Sequence, residues 1–112
     1  MKLHNYVSSS GKDIIMEYLD SLPEEEAIDG LEVMRSMENN EFDKIYFKKW
    51  EKKVYEVYFR KHNRIFYVVA DGDNIYLLHA CKKQKNKTEK NDSKIVKKRA
   101  KELGVILRKV FI

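Results

Sequence analysis

The sequence predicts an α+β fold, a twisted antiparallel sheet with a helical hairpin ahead of it and one helix behind it. Three observations carry this. Apolar residues recur at the helical period twice within the first 40 residues, and again after residue 90. Between residues 54 and 81 the period shortens to strand-length runs rich in β-branched and aromatic residues. Segregated helices and consecutive short strands make a sheet covered by helices.

Residues 2–7 are read as a short opening strand with Leu3 and Val7 pointing inward. Ser10, with Asp13 three residues on, reads as a capping box for a helix whose stripe is Ile14, Ile15, Tyr18, Leu19 and Leu22. Pro23 halts that helix and suits the first turn of the next, where Glu24, Glu25 and Glu26 favour the positive helix end. Ala27, Ile28, Leu31 and Met34 form its apolar stripe, Met37 extends it, and Asn39 and Asn40 are stop residues.

The segment 45–50, "IYFKKW", fits either an edge strand or an extended lead-in. Then "VYEVYF" (54–59), "RIFYVVA" (64–70) and "IYLLHAC" (75–81) follow one another through "RKHN" and "DGDN", turns short enough for an antiparallel meander. The last helix starts near Asn91 or Asp92, carries Ile95, Val96, Ala100 and Leu103, and stops at Gly104. The tail "VILRKVFI" is apolar enough to dock on the body or on a partner.

With 112 residues, 43% of them apolar, residues 1–112 are expected to form a single domain. The apolar runs fall far short of the roughly 20 residues of a spanning helix, and the first residues lack the apolar stretch of a secretory signal. One cysteine, Cys81, excludes an intramolecular disulfide, and no ligand spacing suggests zinc. A cytoplasmic protein without metal or cofactor is the expectation. Cys81 reads as a structural cysteine, and His79 as a packing histidine.

The charge is unevenly distributed. Residues 1–43 hold 3 Lys/Arg against 11 Asp/Glu, whereas residues 44–112 hold 20 against 7. Such a chain either presents a basic surface to a polyanion or neutralises itself by laying acidic helices over basic strands. The meander brings Arg60, Lys61, His62 and Arg64 to the same end of the sheet as Lys82, Lys83, Lys85 and Lys87, with Tyr55, Tyr58, Tyr67 and Tyr76 on the strands below. Cations interleaved with aromatics suit single-stranded RNA, whose phosphates they neutralise and whose bases stack. A lysine-guarded sheet edge is the structural alternative. RNA supplies its own nucleophile, the 2′-hydroxyl. A metal-free site need only align the strand, accept a proton, stabilise charge on the phosphate and protonate the leaving oxygen.

The strand "YEVYF" at 55–59, "RIFY" at 64–67, "LLHACKKQKNKTEK" at 77–90 and the basic helix behind them resemble the RelE/HigB superfamily of toxins, in its phage-related HigB-like branch. Arg64, His79, Lys83, Lys87 and Thr88 match its pattern. Tyr58 stands in place of an arginine, Cys81 of a phenylalanine, Gln84 of a lysine and Glu89 of a proline. The resemblance implies a RelE-like fold and a ribosome-dependent mRNA endoribonuclease, held in check by an antitoxin of helix-turn-helix, HigA-like type. On that reading Arg64 stabilises developing phosphate charge and Lys83 or Lys85 transfers protons. Arg60, Lys61, His62, Lys82 and Lys87 then hold RNA backbone in the ribosomal A site. The rival readings are a non-catalytic RNA- or ribosome-binding protein of the same fold and a module that only docks an antitoxin-like protein.

Overall fold

The structure is a computed structural model that describes residues 1–83 and 88–112. In chain order it contains β1 (Lys2–Asn5), α1 (Ile14–Asp20), α2 (Glu24–Glu38), a 3-10 turn (Phe42–Lys44), β2 (Tyr46–Glu51), β3 (Val54–Phe59), β4 (Asn63–Val69), β5 (Asn74–Lys82) and α3 (Lys90–Leu107). The α+β architecture is as expected, with the five strands in one sheet ordered β1-β5-β4-β3-β2.

The sheet is mixed, not wholly antiparallel. β3 to β5 form the expected meander and β2 adds a fourth antiparallel strand to it, but β1 lies parallel to β5, with Leu3 opposite Ile75. A parallel pair needs a long connection, and the helical hairpin and the rest of the meander intervene between these two strands. The segment 45–50 is indeed an edge strand, β2. Its residues are nearly all exposed, so no inside–outside alternation marks it in the sequence.

Three helix boundaries or faces differ from expectation, each for a local reason. Ser10 lies in a tight turn closed by Gly11 N–H donating to Ser8 O at 2.9 Å. The cap is Asp13, whose carboxylate accepts from Met16 N–H at 3.0 Å. Val7 sits in an isolated bridge to Asp13 and is exposed instead of inward. In α2 the inward residues are Gly30, Met34 and Met37, while Ile28 and Leu31 are half exposed. Gly30 turns this helix, since a Cβ there would stand 2.5 Å from Leu19 Cδ2 and 2.9 Å from Phe59 Cζ. Only a glycine lets α2 approach α1 and β3 so closely.

α3 does not stop at Gly104 but runs on to Leu107, where Arg108 in the left-handed region (φ 55°) ends it. The tail then doubles back onto the body. Phe111 is buried, its carbonyl accepts from Lys53 N–H at 3.1 Å, and Lys109 Nζ donates to Ala70 O.

Alternation along β3 and β4 splits the core between the two sheet faces. Val57, Ile65 and Tyr67 pack with Ile15, Leu19 and Met37 from α1 and α2. Val54, Phe66 and Val68 pack with Val96 and Ala100 of α3 and with Phe111. Among the described residues no helix is long and apolar enough to cross a membrane.

Candidate nucleic-acid interface

Strand register alone assembles two rows of side chains on the α3 side of the sheet. Tyr46, Tyr58, Arg64 and Cys81 are successive cross-strand partners from β2 to β5. Beside them run Lys48, Glu56, Phe66 and His79. The outer end of this surface is open. Tyr46 is 73% exposed and its ring stacks on that of half-buried Tyr58, with centroids 6.1 Å apart.

Behind this aromatic pair lies a charge cluster. Glu56, only 1% exposed, faces Lys48 Nζ at 3.5 Å and Arg64 Nη1 at 3.6 Å. Arg64 is also covered; it donates to Thr88 Oγ1 at 2.8 Å and its Cζ stands 6.0 Å from the centre of the Phe66 ring. A carboxylate out of water needs paired charges, and here one anion holds two cations from neighbouring strands. Arg64 thus pairs with a carboxylate of the sheet, not with one from the acidic helices.

On β5, His79 and Asp92 make a 2.7 Å hydrogen bond. Arg99 Nη1 donates to Leu78 O at 2.9 Å and faces His79 Nδ1 at 3.2 Å. Since a guanidinium only donates, Nδ1 accepts and the ring proton sits on Nε2, directed at Asp92. Burial lowers the His79 pKa against the opposing pull of Asp92, so the ring is neutral at pH 7. Burial, with Asp92 adding to it, pushes the Cys81 thiol up to about 12. Such a thiol is a poor nucleophile.

The basic hairpin and the exit of β5 do meet, as the meander requires: Lys83 N–H donates to His62 O at 2.5 Å, and Asn63 pairs with Lys82. The side chains, however, divide between faces. Arg60 bonds Asp29 and stands 3.9 Å from Glu25, while His62 Nε2 lies 3.0 Å from Glu26 Oε1. Glu26 also accepts from Asn63 at 2.9 Å, and Asn63 in turn accepts from the Tyr18 hydroxyl at 2.6 Å. The hydrogen bonds from Asn63 and then His62 hold Glu26 below the usual carboxylate range, with Lys82 contributing.

Arg60, His62 and Lys82 therefore face the acidic helix α2, which is the self-neutralising arrangement, while Arg64 faces α3. Lys61 stays exposed at the turn, where both it and Arg60 adopt positive φ. Lys83 follows β5 directly and is partly buried. Lys85 and Lys87 lie outside the described residues.

The tyrosines divide as well. Only Tyr58 stands beside Arg64. Tyr55 and Tyr67 stack on each other with centroids 5.8 Å apart and pack in the core on the α1–α2 side. Tyr76 stacks on His4 at the far edge, with centroids 4.4 Å apart. Conversely, the sequence pattern alone does not single out Tyr46, Lys48, Glu56 or Asp92 as site residues. A glutamate inside the β-branched run 54–59 was the available signal, because a carboxylate in a buried strand must find cations.

Comparison with curated proteins returns no match. Residues 17–101 match the family described as phage derived protein Gp49-like (DUF891). The match spans α2, the whole meander and most of α3, including every residue of the two rows. The chain belongs to this Gp49-like phage-derived family, a RelE/HigB-like toxin family.

Proposed function

We propose that this protein is a toxin of RelE-like fold that cleaves mRNA on the ribosome and is neutralised by a helix-turn-helix antitoxin. The observation that carries the proposal is the pair of cross-strand rows, which sets an open tyrosine stack beside a buried Arg64–Glu56 pair reached from solvent by the exposed Lys48 in a chain of this family. Tyr46 and Tyr58 offer planar faces to unstacked bases. Glu56 acts as a positioning residue that holds the two cations in register. Arg64, with its planar fork, takes the charge that develops on the phosphate as the 2′-hydroxyl attacks. Lys83 and Lys85, on the segment leaving β5, are the proposed proton carriers, and Lys61 and Lys87 contact the RNA backbone.

A second reading, RNA or ribosome binding without cleavage, is favoured by the burial of Arg64, which leaves Tyr46 and Lys48 as the groups met first. One experiment separates the two. The protein is induced in a bacterial host, with and without a helix-turn-helix gene found beside its own, and mRNA ends are mapped. New cuts within translated messages that disappear with the neighbour present support the toxin; growth arrest without new ends supports binding alone.

A further inference from the structure

The His79, Cys81 and Asp92 side chains each offer one ligand atom, a nitrogen, a sulfur and an oxygen, and these atoms all lie within 4.8 Å of one another. Two of the residues come from the end of β5 and the third from the first turn of α3. We propose that they form a binding site for a thiophilic divalent cation of the zinc class, which staples these two elements together. Bond lengths of about 2.0–2.3 Å at tetrahedral angles separate neighbouring ligand atoms by roughly 3.3–3.7 Å. The 2.7 Å His79–Asp92 contact must therefore open by well under 1 Å.

The surroundings fit such a site. His79 and its neighbours are largely removed from water, and Arg99 is anchored to Leu78 O and over the Tyr6 ring. Metal binding at Nε2 therefore requires Arg99 Nη1 to turn away from His79 Nδ1, while the guanidinium keeps its place over the Tyr6 ring. The ring proton then moves from Nε2 to Nδ1, freeing Nε2 for the metal. The Cys81 proton leaves to solvent, so one thiolate and one carboxylate balance the 2+ charge. A coordinating dication deprotonates a thiol ligand outright. The mixed donor set favours zinc or cobalt over magnesium or calcium, which take oxygen ligands.

Titration of the full reduced chain with Co²⁺ tests this, independently of any action on RNA. The expected result is saturation at one equivalent with a near-ultraviolet thiolate-to-cobalt band and intense visible bands of four-coordinate cobalt, all displaced by Zn²⁺. Cys81→Ser should abolish the near-ultraviolet band, and Asp92→Asn should weaken binding about tenfold or more. Absence of the thiolate band from the unaltered protein at saturating Co²⁺ overturns the proposal. So does unchanged cobalt affinity in Cys81→Ser, which would place the ion on other groups such as His4 or His62.

Discussion

Arg64 is nearly buried, yet it is surrounded by polar partners rather than by a matched apolar shell. Glu56 and Thr88 hold its guanidinium in one orientation, with Phe66 beneath it. Both contacts use Nη1, which leaves the other guanidinium nitrogens for a phosphate; lysine keeps the charge but not that planar set of donors. In folded Arg64→Lys, single-turnover cleavage on programmed ribosomes should fall about a hundredfold, roughly 3 kcal/mol of transition-state stabilisation, while ribosome binding changes little. Thermal unfolding of the same variant checks that the fold is intact. His79 yields a second expectation. Its folded-state pKa lies below the ordinary 6.5, so the unfolded chain takes up a proton first as pH falls. The stability this neutral ring allows is complete above about pH 6.5 and declines below it, until the folded ring also protonates. With chelator present to keep the protein metal-free, thermal midpoints measured from pH 7.5 downward should fall less steeply in His79→Gln, which cannot titrate.

At the scale of the element, the meander is legible because its turns are short and its strands β-branched, whereas the register is not, since the ladders shift between Phe66 and Tyr67 and between Lys49 and Glu51. Chemistry was legible only where charge sat outside the apolar pattern. Arg64 and the lysines stood out at strand ends, whereas Tyr46 and Lys48 were hidden on an edge strand with almost no buried side to create alternation. On α2, Met34 and Met37 pack inward as their spacing predicts, but Ile28 and Leu31 do not, because Gly30, which has no side chain, is the point of closest approach. Gly104 was misread as a stop for a related reason. A Cβ at that position would lie 2.5 Å from Lys109 O, and a main-chain oxygen cannot swing aside. Gly104→Ala should therefore destabilise the protein by about 1–3 kcal/mol, despite alanine's better helix propensity. Denaturant unfolding measures the loss, and protease susceptibility of the tail around Phe111 shows whether the tail has come away.

Over the whole molecule, the acidic half and the basic half are partly spent on each other. Arg60, His62 and Lys82 face α2, and within the basic half itself Lys97 lies 3.3 Å from Glu51. On the proposed function, the attraction left for RNA comes from Lys61, Lys83 and the lysines of the segment beyond. Neutralising Lys83, Lys85 and Lys87 together should flatten the salt dependence of ribosome or RNA binding by about 0.7 log–log units per lost phosphate contact. Neutralising Arg60 should scarcely alter it, because that charge is already engaged by Asp29. The central claim is that the paired rows cut RNA by way of its own 2′-hydroxyl. It is tested most directly by incubating the purified chain with ribosomes programmed with a defined mRNA and identifying the chemistry of the new ends. The account predicts 5′-hydroxyl ends opposite a 2′,3′-cyclic phosphate or its 3′-phosphate product, formed by the unaltered protein and strongly reduced in Arg64→Lys. Fragments ending in a 3′-hydroxyl, or an mRNA that stays intact on ribosomes the protein demonstrably occupies, would contradict it.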